Sequence, residues 1–146
     1  MLVSQLSKGD IEACVKMYLP HDSWIKGDYQ TSLKNLFIAS KRAYVRAIKE
    51  DNKVIAFLYA EIIQPAHLNY FCLKQMYFCS VGGISGVKAM FDLHDDLIKY
   101  AEEQKVPLVL SPGSHLDEQN KFAKLLEKRG WERRGYMAAY KTSHFK

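Results

Sequence analysis

An α/β fold, with helices around one mixed sheet in an α+β arrangement, follows from three features of this chain. Segments with helical spacing alternate with segments rich in β-branched and aromatic residues. Between about residues 73 and 110 a strand, a glycine loop, a helix and a second strand follow one another, the order of a parallel βαβ crossover. The runs Tyr44–Ile48 and Val54–Ile63 flank the polar turn Glu50-Asp51-Asn52-Lys53 and predict an antiparallel hairpin, so the sheet combines both senses.

The elements can be justified in order. Leu2–Leu6 reads as a short strand. Ser7 and Asp10 stand in the Ser-x-x-Asp spacing of a capped helix start, and Ile11, Cys14, Val15, Tyr18 and Leu19 follow at helical intervals until Pro20 stops the run. His21–Gln30 is polar with Trp24 and Tyr29 embedded, which predicts a loop over a pocket, followed by a second helix over about 32–40. After the hairpin and Pro65, a further strand is expected within Asn69–Val81.

VGGISGVKAMF, residues 81–91, then places glycines at 82, 83 and 86 at the mouth of a helix. Val87, Met90, Phe91, His94, Leu97, Ile98 and Ala101 form its apolar stripe, with Asp92, Asp95, Asp96, Lys99 and Glu102 on the other face. His94, on the apolar side, reads as a packed histidine. Val106–Leu110 reads as a buried strand. Phe122, Leu125, Leu126 and Arg129 share one side of a last helix that ends at Gly130 in a left-handed cap, and Trp131–Arg134 and Tyr136–Thr142 read as two closing strands. The order is β-α-α-β-β-β-α-β-α-β-β, in a single domain over residues 1–146.

Composition narrows the function classes. With 48% hydrophobic and 25% charged residues the chain is an ordinary folded one, which excludes disorder. No apolar run approaches a membrane span and no leader pattern follows Met1, so a cytoplasmic location without a membrane partner is expected. Cys14, Cys72 and Cys79 are odd in number and lack metal or redox spacing, and read as reduced, packed thiols. Seven residues separate Cys72 from Cys79, which predicts opposite faces of one strand and no bridge between them. The five histidines, at 21, 67, 94, 115 and 144, are scattered, and no metal is expected. The net charge of +5 sits at the C-terminal end, where residues 121–146 carry eight Lys or Arg against two acids. That excess suits either an anionic ligand or the solvated face of a helix and hairpin.

The glycine loop has two physical readings. Bare amides converging on an uncapped helix start suit an anion, and the same glycines serve a turn that needs positive φ.

VSQLSKGDIEACVKMY, AYVRAIKEDNKVIAFLYAEI and NKFAKLLEKRGWERRGYMAAYK, in this order, resemble the GNAT superfamily of N-acetyltransferases over essentially the whole chain. Gly130-Trp131 stands where that family usually has Gly-Phe. The resemblance extends to small proteins of this type in tailed bacteriophages. It implies a GNAT-like acyl-CoA N-acyltransferase fold, acetyl-CoA or another acyl-CoA as co-substrate, and acetyl transfer to an amine by direct attack. In the family the fourth and fifth strands splay, the pantetheine arm fills the gap, and the pyrophosphate lies on amides at the next helix start. That place corresponds to Val81, Gly82, Gly83, Ser85, Gly86, Val87 and Lys88, with the strands parting just before residue 82. Against the family's loop pattern, Ser85-Gly86-Val87-Lys88-Ala89-Met90 keeps only Gly86.

Acyl transfer from a thioester needs a neutral amine, hence a proton acceptor, together with a donor for the leaving thiolate. Glu61, the acidic residue in the strands leading to the site, is the candidate general base; it also reads as an outward charge on an alternating strand. Leu126 falls at the family's usual Tyr position, so Tyr140 and Tyr136 are the candidate replacements for that acid, and His115, on the loop after the fifth strand, is a further catalytic candidate facing the pantetheine sulfur. The acceptor is a primary amine, with the Trp24/Tyr29 loop as one wall. Two other readings stand beside the enzyme: a protein of this fold that binds without turnover, and a nucleic-acid binder using Arg133, Arg134, Lys141 and Lys146 among Trp131, Tyr136, Tyr140 and Phe145.

Overall fold

The computed structural model describes residues 1–21, 27–111, 121–132, 141 and 143–144. The chain divides into two compact units, Met1–Gly113 and Ser114–Lys146. In the first unit, β1 (Leu2–Val3), β2 (Tyr44–Glu50), β3 (Lys53–Ile63), β4 (Cys72–Ser80) and β5 (Leu108–Leu110) form one sheet in that order. The first four strands are antiparallel neighbours, and β5 joins β4 in parallel. Helices α1 (Lys8–Tyr18) and α2 (Tyr29–Arg42) cover one face, where Ile11, Cys14, Val15, Leu36 and Ala39 pack on Val45, Ala47, Phe57 and Cys79. Helix α3 (Gly83–Glu103) lies on the other face. This is the expected mixed sheet and the expected βαβ crossover.

Local chemistry sets the element ends. Ser7 and Asp10 exchange side-chain bonds with each other's backbone N–H, the reciprocal cap that their spacing predicts. The second helix starts earlier than expected because Asp28 accepts from the Thr31 N–H at 2.8 Å. Tyr29 is therefore the first residue of α2, packed against the core, and not part of a pocket loop; Trp24 lies outside the described residues. Asp51 and Asn52 both take positive φ, 50° and 64°, which makes the β2–β3 turn the mirror-image type whose twist matches the flanking strands. β1 is shorter than expected. β5 is half-exposed, not buried, with Leu108 36% exposed, and is the last strand of the sheet among the described residues.

A bulge overturns one expectation from strand alternation. Tyr59 pairs with Tyr77 and Ala60 with Gln75, so Met76 is an extra residue in β4. It cancels the odd spacing of Cys72 and Cys79: Cys72 pairs with Ile63 and Cys79 with Phe57, two residues on the same face of β3. The two cysteines still cannot bridge, because about six strand residues at ~3.3 Å each hold them apart. All three cysteines are free and buried. Burial, with the nearby Asp10 and Cys79, pushes the Cys14 thiol up to about 12, and burial pushes Cys79 up to about 11. Since the thiolate is the reactive form, a water-soluble disulfide reagent near neutral pH should modify no cysteine in the folded protein and all three in denaturant. Rapid native labelling would contradict the packing of α1 on β4.

In the second unit, α4 (Lys121–Glu127) ends as the sequence predicts. Gly130 has φ +90°, its N–H reaches the Glu127 carbonyl, and the Trp131 N–H reaches back to Leu126. The expected closing strands fall largely outside the described residues.

Candidate functional site

The parallel strands β4 and β5 pair at only three positions, Cys72↔Leu108, Leu73↔Val109 and Lys74↔Leu110. From Gln75 to Ser80, β4 continues along β3 with no β5 partner among the described residues. Among the described residues the β4–β5 pairing thus stops at Lys74, earlier than the point just before residue 82 where the strands are expected to part. Two causes coincide there. β5 ends at Leu110, and the Met76 bulge adds local twist to β4 just beyond the last pair. On the α3 side, side chains tie Ser111, just after β5, to β4 and α3, since one end of the Gln75 side-chain amide lies 3.0 Å from Ser111 Oγ and 2.8 Å from His94 Nε2.

His94 is the packed histidine that its stripe predicts, 1% exposed, with Phe78 edge-on at 5.0 Å. Burial lowers it to about 4, so the ring is neutral near pH 7. Its Nδ1 donates to the Met90 carbonyl at 2.8 Å. Its Nε2 then needs a donor, which the Gln75 amide supplies when its NH2 faces the ring.

At the other end of the open edge, the Val81 N–H is held by the Ile55 carbonyl at 2.9 Å. Gly82 is the N-cap of α3 and makes no side-chain cap bond, and Gly83 has φ +82°. A Cβ at either glycine would meet nothing within 4 Å, and residues 81–85 are exposed. The first turn of α3 thus has no capping side chain bonded to its N–H groups, and its residues are exposed. Gly86 plays a different part. It is buried, and a Cβ there would lie 1.8 Å from the Val81 carbonyl oxygen, so this glycine lets α3 seat against the end of β4. Val87 is 40% exposed and lies off the core stripe, which runs through Gly86, Ala89, Met90, Leu93, His94, Leu97 and Ala101. Ser85 and Lys88 are exposed beside the turn.

Glu61 stands at the fork, directly opposite Lys74 in the β3–β4 register, on the α1/α2 face. Its carboxylate is ion-paired with Arg42, the last residue of α2, and accepts from Tyr59. Burial first, then that bond, pushes the Tyr59 hydroxyl up to about 12, so it stays a proton donor. Tyr77 follows the bulge and is 40% exposed; its ring centroid is 4.1 Å from Tyr18 and 5.9 Å from Tyr59. Glu61 and the glycine turn are thus not in contact but stand at the two ends of one open strand edge. The tyrosines at 18, 59 and 77 are the site residues that sequence reading missed, since their convergence depends on register and on the bulge. His115, Tyr136 and Tyr140 lie outside the described residues. Leu126 is a buried apolar residue of α4. Among the described residues no group of His, Cys, Asp and Glu could hold a metal ion, and no helix is long and apolar enough to cross a membrane.

No protein-family model and no curated protein sequence matches this chain. Its fold, however, is similar to that of an acetyltransferase from Trypanosoma brucei, with TM-score 0.73, 14% identity, and 97% of this chain and 99% of that chain covered. It is also similar to a protein from Thermus thermophilus (TM-score 0.69, 13% identity, 100% and 99% covered). A transcriptional regulator from Bacillus halodurans is a third such structure (TM-score 0.74, 13% identity, 96% and 99% covered). The chain therefore has the GNAT-like acetyltransferase fold.

Proposed function

We propose that the protein is an N-acetyltransferase that moves an acetyl group from acetyl-CoA to an amine by direct attack. The observation that carries this reading is the β4 stretch from Gln75 to Ser80, which has no strand partner beyond β3 among the described residues and leads into an uncapped, exposed turn at Gly82–Ser85. An extended arm carrying amides can bond such an edge as a missing strand would, and a diphosphate suits the free N–H groups at the end of it. Gly82, Gly83 and Ser85 supply the amides and a hydroxyl, Lys88 supplies charge, and Val81, whose own N–H is bonded to Ile55, anchors the start of the turn. Gly86 holds the turn in place, and Val87 belongs to its exposed rim.

In the reaction the amine lone pair attacks the thioester carbonyl carbon. The tetrahedral oxyanion collapses, the C–S bond breaks, and CoA leaves as a thiolate that takes a proton. In this reading Glu61 accepts the amine's proton once Arg42 releases it, which its position opposite Lys74 supports. Tyr77 and Tyr59 are proton donors on the same face, beside the sequence candidates Tyr140 and His115.

Acetyl-CoA at about a hundred times its Kd should stabilise the protein by ~2.7 kcal/mol, read as a rise in Tm. Absence of any shift at millimolar acetyl-CoA would sink the proposal. One observation favours a second reading, a binding protein without turnover: the carboxylate at the fork is already ion-paired. Cofactor-induced stabilisation with no CoA release in the presence of amines would support it. The nucleic-acid reading rests on residues that lie mostly outside the described part of the chain, and salt-sensitive oligonucleotide retention tests it.

A further inference from the structure

The Arg42–Glu61 pair and the three tyrosines beside it make a more specific statement than an amine site alone. We propose that the acceptor is a free α-amino acid with an apolar or aromatic side chain, bound as a zwitterion between Arg42 and Glu61; this rests on the acetyl-transfer reading above.

An amine-binding site needs one carboxylate, and here that carboxylate comes with a guanidinium in direct contact. The Arg42 side chain is 59% exposed and the Glu61 side chain 21% exposed, so the pair lies at a surface where an ion pair gains little and is easily opened. A zwitterion replaces one ion pair by two. Its ammonium takes the Glu61 carboxylate, its carboxylate takes the Arg42 fork, and the net charge of the site does not change. Because Arg42 and Glu61 touch, the two ligand charges must be close together. That condition fits an α-amino acid and excludes a peptide N-terminus, which carries no adjacent carboxylate.

The tyrosines set the side-chain class. The Tyr18 and Tyr77 ring centroids are 4.1 Å apart with the rings tilted at 47°, Tyr59 lies 5.9 Å from Tyr77, and Tyr77 is 40% exposed. These rings offer an apolar wall beside the charged pair. Glu61 sits opposite Lys74, the last β4 residue paired with β5, so the amine is delivered where the strands part.

Three related probes separate the contributions. L-Phenylalanine carries both charges, phenethylamine lacks the carboxylate, and 3-phenylpropionate lacks the amine. By calorimetry or saturation-transfer NMR, L-phenylalanine should bind about tenfold or more tightly than either analogue, as expected for loss of one charge-assisted hydrogen-bonded pair. Arg42→Gln should abolish the preference over phenethylamine, and Glu61→Gln the preference over 3-phenylpropionate. Both positions are at least partly exposed, and circular dichroism checks that the variants fold. Phenethylamine binding as tightly as L-phenylalanine, no binding of any probe, or an unchanged preference in Arg42→Gln overturns the proposal. Acetyl-CoA stabilisation is scored separately: retained cofactor binding without amino-acid binding refutes the acceptor assignment alone, whereas amino-acid binding without cofactor binding refutes acetyl transfer.

Discussion

Gly86→Ala is expected to be the most damaging single-methyl change in the described part of this chain. The added Cβ would sit 1.8 Å from the Val81 carbonyl oxygen and 2.9 Å from its carbonyl carbon, both backbone atoms. No rotamer change relieves that clash. Val81 is in turn fixed by its N–H bond to Ile55 at the β3 bulge, where Ile48 pairs with Ala56 and Lys49 with Val54. Either α3 moves off the sheet or the β4 end detaches from β3. Overpacking of this kind costs about 3 kcal/mol, a large part of the roughly 5–15 kcal/mol that holds a domain together. Urea titration should show a loss of unfolding free energy of that size, read as a lower midpoint at unchanged m-value, together with loss of any acetyl-CoA stabilisation.

The neighbouring glycines provide the contrast. Gly83→Ala meets no atom but must hold φ at +82°, which costs ~1–2 kcal/mol for a residue with a Cβ. Gly82→Ala, at φ −72° and in open space, should change stability by less than ~1 kcal/mol. A series in which Gly82→Ala is as damaging as Gly86→Ala would mean that the turn is packed differently from the geometry given above.

This division of labour among three glycines was only half legible in the sequence. The cluster announced a turn at a helix mouth, but nothing in the letters separates a glycine needed for its φ from one needed for its missing side chain. The Ser7/Asp10 cap and the Gly130 stop were readable because each depends on residues within four or five positions of one another. The Met76 bulge was not, because a bulge has no fixed residue signature, and from that one extra residue follow the shared face of Cys72 and Cys79 and the placing of Tyr77 over Tyr18. Glu61 was readable as an acid on a strand, while its pairing with Arg42 joins positions nineteen residues apart on different elements. The end of the β4–β5 pairing differs from the expected position because it depends on the register that sets Leu110 opposite Lys74, and neither segment's residues state that register.

Lowering the pH should destabilise the protein through His94, in a window set by that residue alone among the shifted groups. The ring is neutral in the folded state with its value lowered by burial to about 4, against 6.5 for an unperturbed histidine. Between those two values the unfolded chain binds a proton that the folded chain excludes, so stability falls as pH falls through 6.5 and levels off below about 4. Each unit of difference is worth ~1.4 kcal/mol, which gives a loss of roughly 2–3 kcal/mol between about pH 7.5 and 4.5. The caps behave otherwise. Asp10 is raised by its burial but lowered more by Lys49 and Ser7, and Asp28 is lowered by Thr31. Their contributions are present above the ordinary carboxylate value of 3.8 and are lost only as pH falls below it. Denaturant titrations across the upper window therefore report His94, and His94→Gln should flatten the profile between about pH 6.5 and 4.5 even if it lowers stability throughout. A wild-type profile already flat in that window would mean that the ring is charged in the fold. In that case Gln75 would present its oxygen to the ring, and the His94–Gln75 contact would be a charge-assisted hydrogen bond.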